Sequence, residues 1–328
     1  MMRISTCFVA ALFVSLSMTA ISTGQPNSNE VPWIDATEDS DGGSLAIFSI
    51  EEKNHSSFIS KVSEAPILIE VYTATWCETC IPAEEALESE TSELDVEIIK
   101  FHRHLFEIED PFGNNNTEGR WLSRYGPAAV AVGESSRTPP TVIVSGERMH
   151  IGSTPSKDMT LAQEYQASLD LVAPPPIADN STLEATWNGT VLEWKWTWDE
   201  DVSRCRTACS SVTTDLSLLI RENAGSFPEG ANGQGVYYNI LRDAIPLHHS
   251  GTSDSDAFTV ETLELPSTWD GDDLELVFVI DWVEHPPEQS LLQKLPFVHP
   301  LSLVAITFLA ASITPFTHRF DAGFNNPR

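Results

Sequence analysis

Residues 70–88 read EVYTATWCETCIPAEEALE: the end of an apolar run, a tryptophan, two cysteines two residues apart, then an acidic stretch. PILIEVYTA (66–74) is a strongly apolar strand candidate, and Ile81, Ala86, Leu87 and Leu94 beyond the cysteines fall roughly on one helical face. The reading is strand, turn and helix, with Cys77 where the helix begins. Unpaired backbone N–H groups and the helix dipole stabilise a thiolate there. Cys80, three residues on, reaches back across one turn, so a mixed disulfide formed on Cys77 can be released by attack from Cys80. A bare CxxC also occurs in zinc sites and local disulfides, so its surroundings must decide.

Outward from this stretch the chain alternates between elements. SLAIFSI (44–50) is a short strand candidate, and residues 51–65 carry helical spacing at Phe58, Ile59 and Val62. DVEIIKFHRHL (95–105) reads as a strand, followed by a segment rich in Gly and Asn and a short helix around TEGRWLSRYG (117–126). The strands TVIVSG (141–146) and RMHIGS (148–153) precede a closing helix from about Ser156 to Leu171. Alternation of this kind over 45–172 predicts an α/β sheet with helices on its faces.

APPPIADNS (173–181) is a proline-rich linker, and over 182–292 strand-like runs follow with no long helix, the pattern of an all-β sandwich. In VLEWKWTWD (191–199), Leu192, Trp194, Trp196 and Trp198 share one face of a strand. We read that stripe as sandwich core, because aromatic side chains bury large areas.

The ends differ from the middle. Residues 1–24, with Arg3 ahead of an apolar run and then small residues, have the order of a signal peptide, and 25–44 reads as a polar linker. No Asp, Glu, Lys or Arg occurs from Leu295 to Thr317, which predicts a transmembrane helix over 297–316 and a short cytoplasmic tail over 317–328. The main body is then expected to be extracytoplasmic on a single-pass membrane anchor.

The 48 acidic and 18 basic residues give a net charge of −30, which excludes nucleic acid as a partner because phosphate binding needs clustered Lys and Arg. Of five cysteines, Cys7 leaves with the signal peptide and two pairs remain, as an oxidising compartment favours. Cys205 and Cys209 come within disulfide range if a turn joins them, and a local structural disulfide is expected. His102 and His104 share a strand face without a further ligand set nearby, so a structural or surface role is expected of them. No metal and no cofactor is expected.

Two motifs together are more specific than CxxC alone. ILIEVYTATWCETC (67–80), followed by RTPPTVIVSGERMHIGS (137–153), resembles the thioredoxin superfamily over roughly residues 45–172. The resemblance implies an α/β thioredoxin-like domain, here followed by an immunoglobulin-like sandwich. It implies Cys77 as nucleophile, Cys80 as resolving thiol, Trp76 packed over the site, and Pro140 in the cis form leading into Thr141. FHRHLFEIEDPFGNNNTEGRWLSRYG (101–126), NILRDAIP (239–246) and LELPSTWDGDDLELVFVIDW (263–282) look similar to exported members of that superfamily that carry a sandwich behind the first domain.

Three departures bear on activity. Val71 stands where thioredoxin has a buried Asp, and Glu70 beside it should face the opposite side of the sheet. Pro139 has no N–H to offer a substrate chain. Glu78 lies between the cysteines, with Glu84 and Glu85 nearby, and negative charge disfavours a thiolate. Together these departures imply a less activated nucleophile, and the expected function, carried by the intact WCxxC and the Pro140–Thr141 pair, is a membrane-anchored extracytoplasmic thiol–disulfide oxidoreductase acting on protein thiols or disulfides. The alternative is a surface-displayed binding or scaffold protein with a redox-inert thioredoxin-like domain.

Overall fold

The computed structural model describes residues 31–37, 41–53, 55–106, 110–156, 158–198, 205–206, 209–249 and 259–285. The expected signal peptide, transmembrane helix and tail lie outside these residues. Among the described residues no helix is long and apolar enough to cross a membrane.

In chain order the elements are β1 (Ile34–Asp35), β2 (Asp41–Glu51), β3 (Ser57–Lys61), a single 3-10 turn (Val62–Glu64), β4 (Ile67–Thr73), α1 (Cys80–Thr91) and β5 (Val96–His102). Next come α2 (Asn115–Arg124), α3 (Gly126–Ala131), β6 (Thr141–Val144), β7 (Arg148–Ile151) and α4 (Leu161–Leu169). The remainder is β8 (Thr182–Trp187), β9 (Val191–Thr197), β10 (Ser211–Ser226), β11 (Val236–His249), β12 (Thr259–Thr262) and β13 (Leu274–His285).

This corrects the expected fold class. The described residues are mostly β, 42% strand against 18% helix, and their strands gather into two sheets instead of an α/β thioredoxin-like domain followed by an independent sandwich. One sheet has nine strands in the order β1-β7-β6-β4-β5-β11-β10-β13-β2, and the other has four in the order β12-β9-β8-β3. The local alternation of strand and helix predicts a sheet complete within 45–172, but the edge of β5 is taken by β11, joined in parallel at Lys100 and Ile240. β2 and β3 precede the cysteine strand, yet they pair with β13 and β8, far along the chain. Such pairings connect segments distant in sequence, and no local pattern reports them.

Residues 57–61 correct a second expectation. Phe58, Ile59 and Val62 match a helical spacing, but burial alternates along SFISK, with Ile59 67% exposed and Ser60 buried, and the segment forms a strand of period two.

The sandwich itself is present. Leu45, Ile47, Leu218, Ile220, Phe278 and Ile280 of the large sheet pack against Leu183, Trp187, Leu192 and Trp194 of the small one. Trp194 and Trp198 are buried and Trp196 packs partly buried against the same cluster, so the tryptophan stripe is core. On the opposite face, α2 and α3 cover Leu68, Tyr72 and Phe101 from one half of the sheet and Leu219, Leu241 and Val277 from the other. Asn114 caps α2 by accepting from the N–H groups of Asn116 and Thr117, satisfying donors that a helix start otherwise leaves open. α1 and α4 cover the other face of β4, where Ile69, Val71, Leu87, Val142 and Tyr165 pack together.

A buried charge network locks the halves together. Arg120 of α2 donates to Asp281 of β13 at 2.7 Å and lies 3.4 Å from Glu70 of β4. Arg124 also pairs with Asp281, and the Ser44 hydroxyl of β2 donates to the same carboxylate. Burial opposes the charge on Asp281, but Arg120 and Arg124 outweigh it and hold the carboxyl down at about 2.

Candidate functional site

The apolar strand β4 ends at Thr73, and the chain turns sharply before α1. The Cys77 N–H donates to Ala74 O at 3.0 Å and the Cys80 N–H to Cys77 O at 3.2 Å, closing two consecutive turns. α1 therefore begins at Cys80, so Cys77 stands one turn ahead of the helix and not in its first position. Pro82 falls in the first helical turn, where its missing N–H costs nothing.

Cys77 and Cys80 form a disulfide with Cα atoms 5.4 Å apart. Cys77 is 4% exposed and Cys80 fully buried. The two cysteines pack with Ala74, and Trp76 lies partly buried against them. The Arg103 guanidinium sits 5.5 Å from the centre of the Trp76 ring. Thr79 Oγ1 lies 3.6 Å from Cys77 Sγ. Glu78 points outward and is exposed.

Val71 is packed in the apolar layer beneath α1, as its residue type requires. Glu70 faces the other side, fully buried, accepting from the Tyr125 hydroxyl, and its carboxyl is raised chiefly by burial. It has no access to the cysteines from there. Glu84 is a different case from the repulsive surface charge its sequence position suggested. Cys80, Ala83 and Leu87 form the buried stripe of α1, and Glu84, four residues after Cys80, lies along it. Its carboxylate accepts from the Thr73 hydroxyl at 2.7 Å and pairs with Lys100 of β5.

Pro140 enters through a cis bond from Pro139 and is buried. Tyr72 pairs with Thr141, so Pro140 lies at the end of the sheet from which β4 leads into the cysteine turn. Gly152 N–H donates to Pro140 O at 2.8 Å, and the Thr141 hydroxyl donates to Thr138 O at 2.6 Å. Glu118 of α2 holds the approach to this turn. It accepts from the Tyr72 hydroxyl at 2.6 Å and pairs with Arg137 at 2.5 Å.

The histidines separate. β5 ends at His102, and His104 lies beyond it, its backbone N–H held by Glu118. His102 is buried, with Nδ1 2.9 Å from Asp110 Oδ2. Since the carboxylate can only accept, Nδ1 carries the proton in this bond. Asp110 also accepts from Thr75 N–H at 2.8 Å and Phe112 N–H at 3.1 Å. Among the described residues no group of three or more His, Cys, Asp or Glu is placed to hold a metal.

Sequence reasoning missed Asp110, Asn232 and Tyr237. The Asn232 N–H donates to Thr75 O at 3.1 Å, and the Tyr237 hydroxyl lies 2.7 Å from Asn232 Oδ1 and 3.2 Å from Thr75 O. No periodicity or motif marks these residues, because Thr75, the partner they share, is far away in the chain. Cys205 and Cys209 form the expected local disulfide, with Cα atoms 5.7 Å apart.

No known family and no curated protein matches the chain. Among solved structures it is similar to protein AGR_C_4864 from Agrobacterium tumefaciens, at 14% identity and a TM-score of 0.39, over 69% of this chain and 96% of that one. It is also similar to HBP35 of Porphyromonas gingivalis, at 13% identity and a TM-score of 0.39, over 71% of this chain and 81% of that one. At these scores the likenesses carry nothing about activity.

Proposed function

We propose that the protein is a thiol–disulfide exchanger in which Cys77 and Cys80 cycle between disulfide and dithiol, with a protein thiol or disulfide as substrate. The observation that carries this reading is the unequal burial of two cysteines on one turn: Cys77 keeps 4% exposure and Cys80 none. Of the two, Cys77 is the one with surface left to solvent, so we assign it to meet the substrate sulfur and Cys80 to act on Cys77.

From the disulfide, a substrate thiolate attacks Cys77 Sγ. The Cys77–Cys80 bond breaks, and Cys80 leaves with the electron pair and takes up a proton. A second substrate thiolate then attacks the substrate sulfur of the mixed disulfide, forming the substrate disulfide and releasing Cys77. Two electrons pass from the substrate dithiol to the pair, and the reverse sequence reduces a substrate disulfide. Glu84, held by Thr73 and Lys100 one turn along α1 from Cys80, is the residue we assign to carrying the proton of the buried thiol.

Trp76 shields the pair, and Pro140 and Thr141 shape the docking edge. Resemblance of the WCETC and TPPT motifs to the thioredoxin superfamily supports the reading at the level of the motifs. The apolar segments at both ends of the sequence support a membrane-tethered, extracytoplasmic setting. The rival reading, an inert scaffold, draws on Val71 and on the exposed Glu78 beside the pair.

The test is a redox titration against glutathione with thiol trapping, comparing the native protein with Cys77→Ser and Cys80→Ser. Cys80→Ser is expected to accumulate a mixed disulfide on Cys77. A pair that stays oxidised through the whole glutathione range, with no trapped partner on either variant, would overturn the proposal.

A further inference from the structure

The loop between β10 and β11, residues 227–235, reaches from the sandwich half of the chain to the backbone just ahead of the cysteines. It is internally ordered: Phe227 N–H donates to Gly235 O at 3.0 Å, Gly230 N–H to Phe227 O at 3.1 Å, and Gln234 N–H to Asn232 Oδ1 at 3.0 Å. Gly230 packs so closely that a Cβ there would collide with the Tyr237 hydroxyl and crowd Thr75 O. Only glycine permits that approach.

Asn232 is the tip of the contact. Its backbone N–H donates to Thr75 O at 3.1 Å and its Nδ2 to Ala74 O at 3.4 Å. A phenol has one hydrogen to give, and the shortest acceptor for Tyr237 is Asn232 Oδ1 at 2.7 Å, so Tyr237 holds Asn232 in the orientation that meets Thr75. The Tyr237 ring is 4% exposed and stacks edgewise on His102 and at a tilt on Phe112. From the opposite side, Asp110 accepts the Thr75 N–H. Both backbone groups of Thr75, two residues before Cys77, are therefore held by groups outside the turn.

We infer that Asn232 and Tyr237 are positioning residues for the exchange centre, and that the β10–β11 loop sets how readily the Cys77–Cys80 disulfide opens. The inference rests on the exchange activity proposed above. Opening the disulfide lets the two sulfurs separate and the Ala74–Cys77 turn relax. The β10–β11 loop fixes that turn in the geometry of the disulfide and so favours the oxidised state. Weakening the loop's hold releases the turn and shifts the equilibrium toward the dithiol.

The experiment equilibrates the full chain with reduced and oxidised glutathione and reads the oxidised fraction from the mass of the alkylated peptide that carries Cys77 and Cys80. Tyr237→Phe keeps the ring and removes only the hydroxyl. Tyr238→Phe, at a neighbouring residue that is 57% exposed, is the control. Loss of one net hydrogen bond, about 1 kcal/mol, corresponds to a shift of about fivefold toward the dithiol in Tyr237→Phe. Asn232→Ala is expected to move the midpoint in the same direction, and Tyr238→Phe to leave it in place. Thermal unfolding of each variant, followed by circular dichroism, separates a local effect from loss of fold. Native-like unfolding with a Tyr237→Phe midpoint within twofold of the control would overturn the inference and leave the exchange activity standing. A wild-type pair that never opens in glutathione would overturn both.

Discussion

Opening the Cys77–Cys80 bond should leave the protein folded, and the size of the effect follows from the chain. A disulfide stabilises largely by closing a loop in the unfolded state, and the gain shrinks with loop length. Cys77 and Cys80 are separated by three positions and Cys205 and Cys209 by four. Loops this short correspond to about 2 kcal/mol each. Folded domains are stable by about 5–15 kcal/mol, so neither bridge alone carries the fold. The nine-stranded sheet and the sandwich core provide that support. The assay is urea unfolding followed by tryptophan fluorescence, with and without dithiothreitol. A Cys205→Ala/Cys209→Ala variant isolates the WCETC pair. The midpoint should fall by an amount worth about 2 kcal/mol or less, with the slope unchanged. A loss above about 4 kcal/mol, or disappearance of the near-ultraviolet dichroism of the packed aromatics on reduction, would mark the pair as a staple and refute the reasoning.

Asp281→Asn leaves Arg120 and Arg124 buried without their main counter-charge and should cost about 3–5 kcal/mol. Wild-type Asp281 titrates at about 2 when folded, below its unfolded value of about 3.9, so its contribution is present above about pH 4 and lost as pH falls toward 2. The variant should lack that acid limb in urea unfolding at stepped pH, and an unchanged limb would refute the assignment. Glu70 has the opposite sign. Its raised carboxyl favours the folded state while protonated, and that contribution is lost as pH rises through the folded-state pKa. Glu70→Gln should therefore match or exceed wild-type stability at pH 7, and a loss above about 1 kcal/mol would show that pairing with Arg120 dominates over burial. Glu84→Gln should slow glutathione exchange about tenfold or more without unfolding the protein, as stopped-flow traces would show. An unchanged rate would remove Glu84 from the chemistry.

Local features were legible in the sequence. The strand, turn and helix around WCETC follow from an apolar run and a helical stripe, and the tryptophan stripe of β9 follows from alternation. Helix α1 starts three residues later than the cysteine motif indicated, because Cys77 is used in a turn with Ala74. Glu84 read as one acid among several, since spacing cannot show that Thr73 and Lys100 wait for it across the sheet. The nine-stranded sheet was not legible, because its decisive pairings, β2 with β13 and β5 with β11, join segments that no local periodicity connects. Asp110, Asn232 and Tyr237 were hidden for the same reason.

The join between β5 and β11 explains why charge matters so much here. A single residue pair, Lys100 and Ile240, sets the backbone register at this seam. Side chains do the rest: Arg221 of β10 pairs with Glu97 of β5, Asn114 donates to Arg242 O, and Asn116 Nδ2 donates to Asp243 at 2.9 Å. Arg221 and Glu97 are both at least nine-tenths buried. Such a pair adds little stability over apolar residues of the same shape, yet breaking it leaves an uncompensated buried charge, so it penalises every wrong register. Lys100 belongs to this seam and also holds Glu84 beneath the cysteine helix. Tyr237 lies three residues before Ile240 on β11, so a slip in the seam would carry it away from Thr75. The polar contacts that define the fold are thus the ones that bring the two halves of the exchange site together.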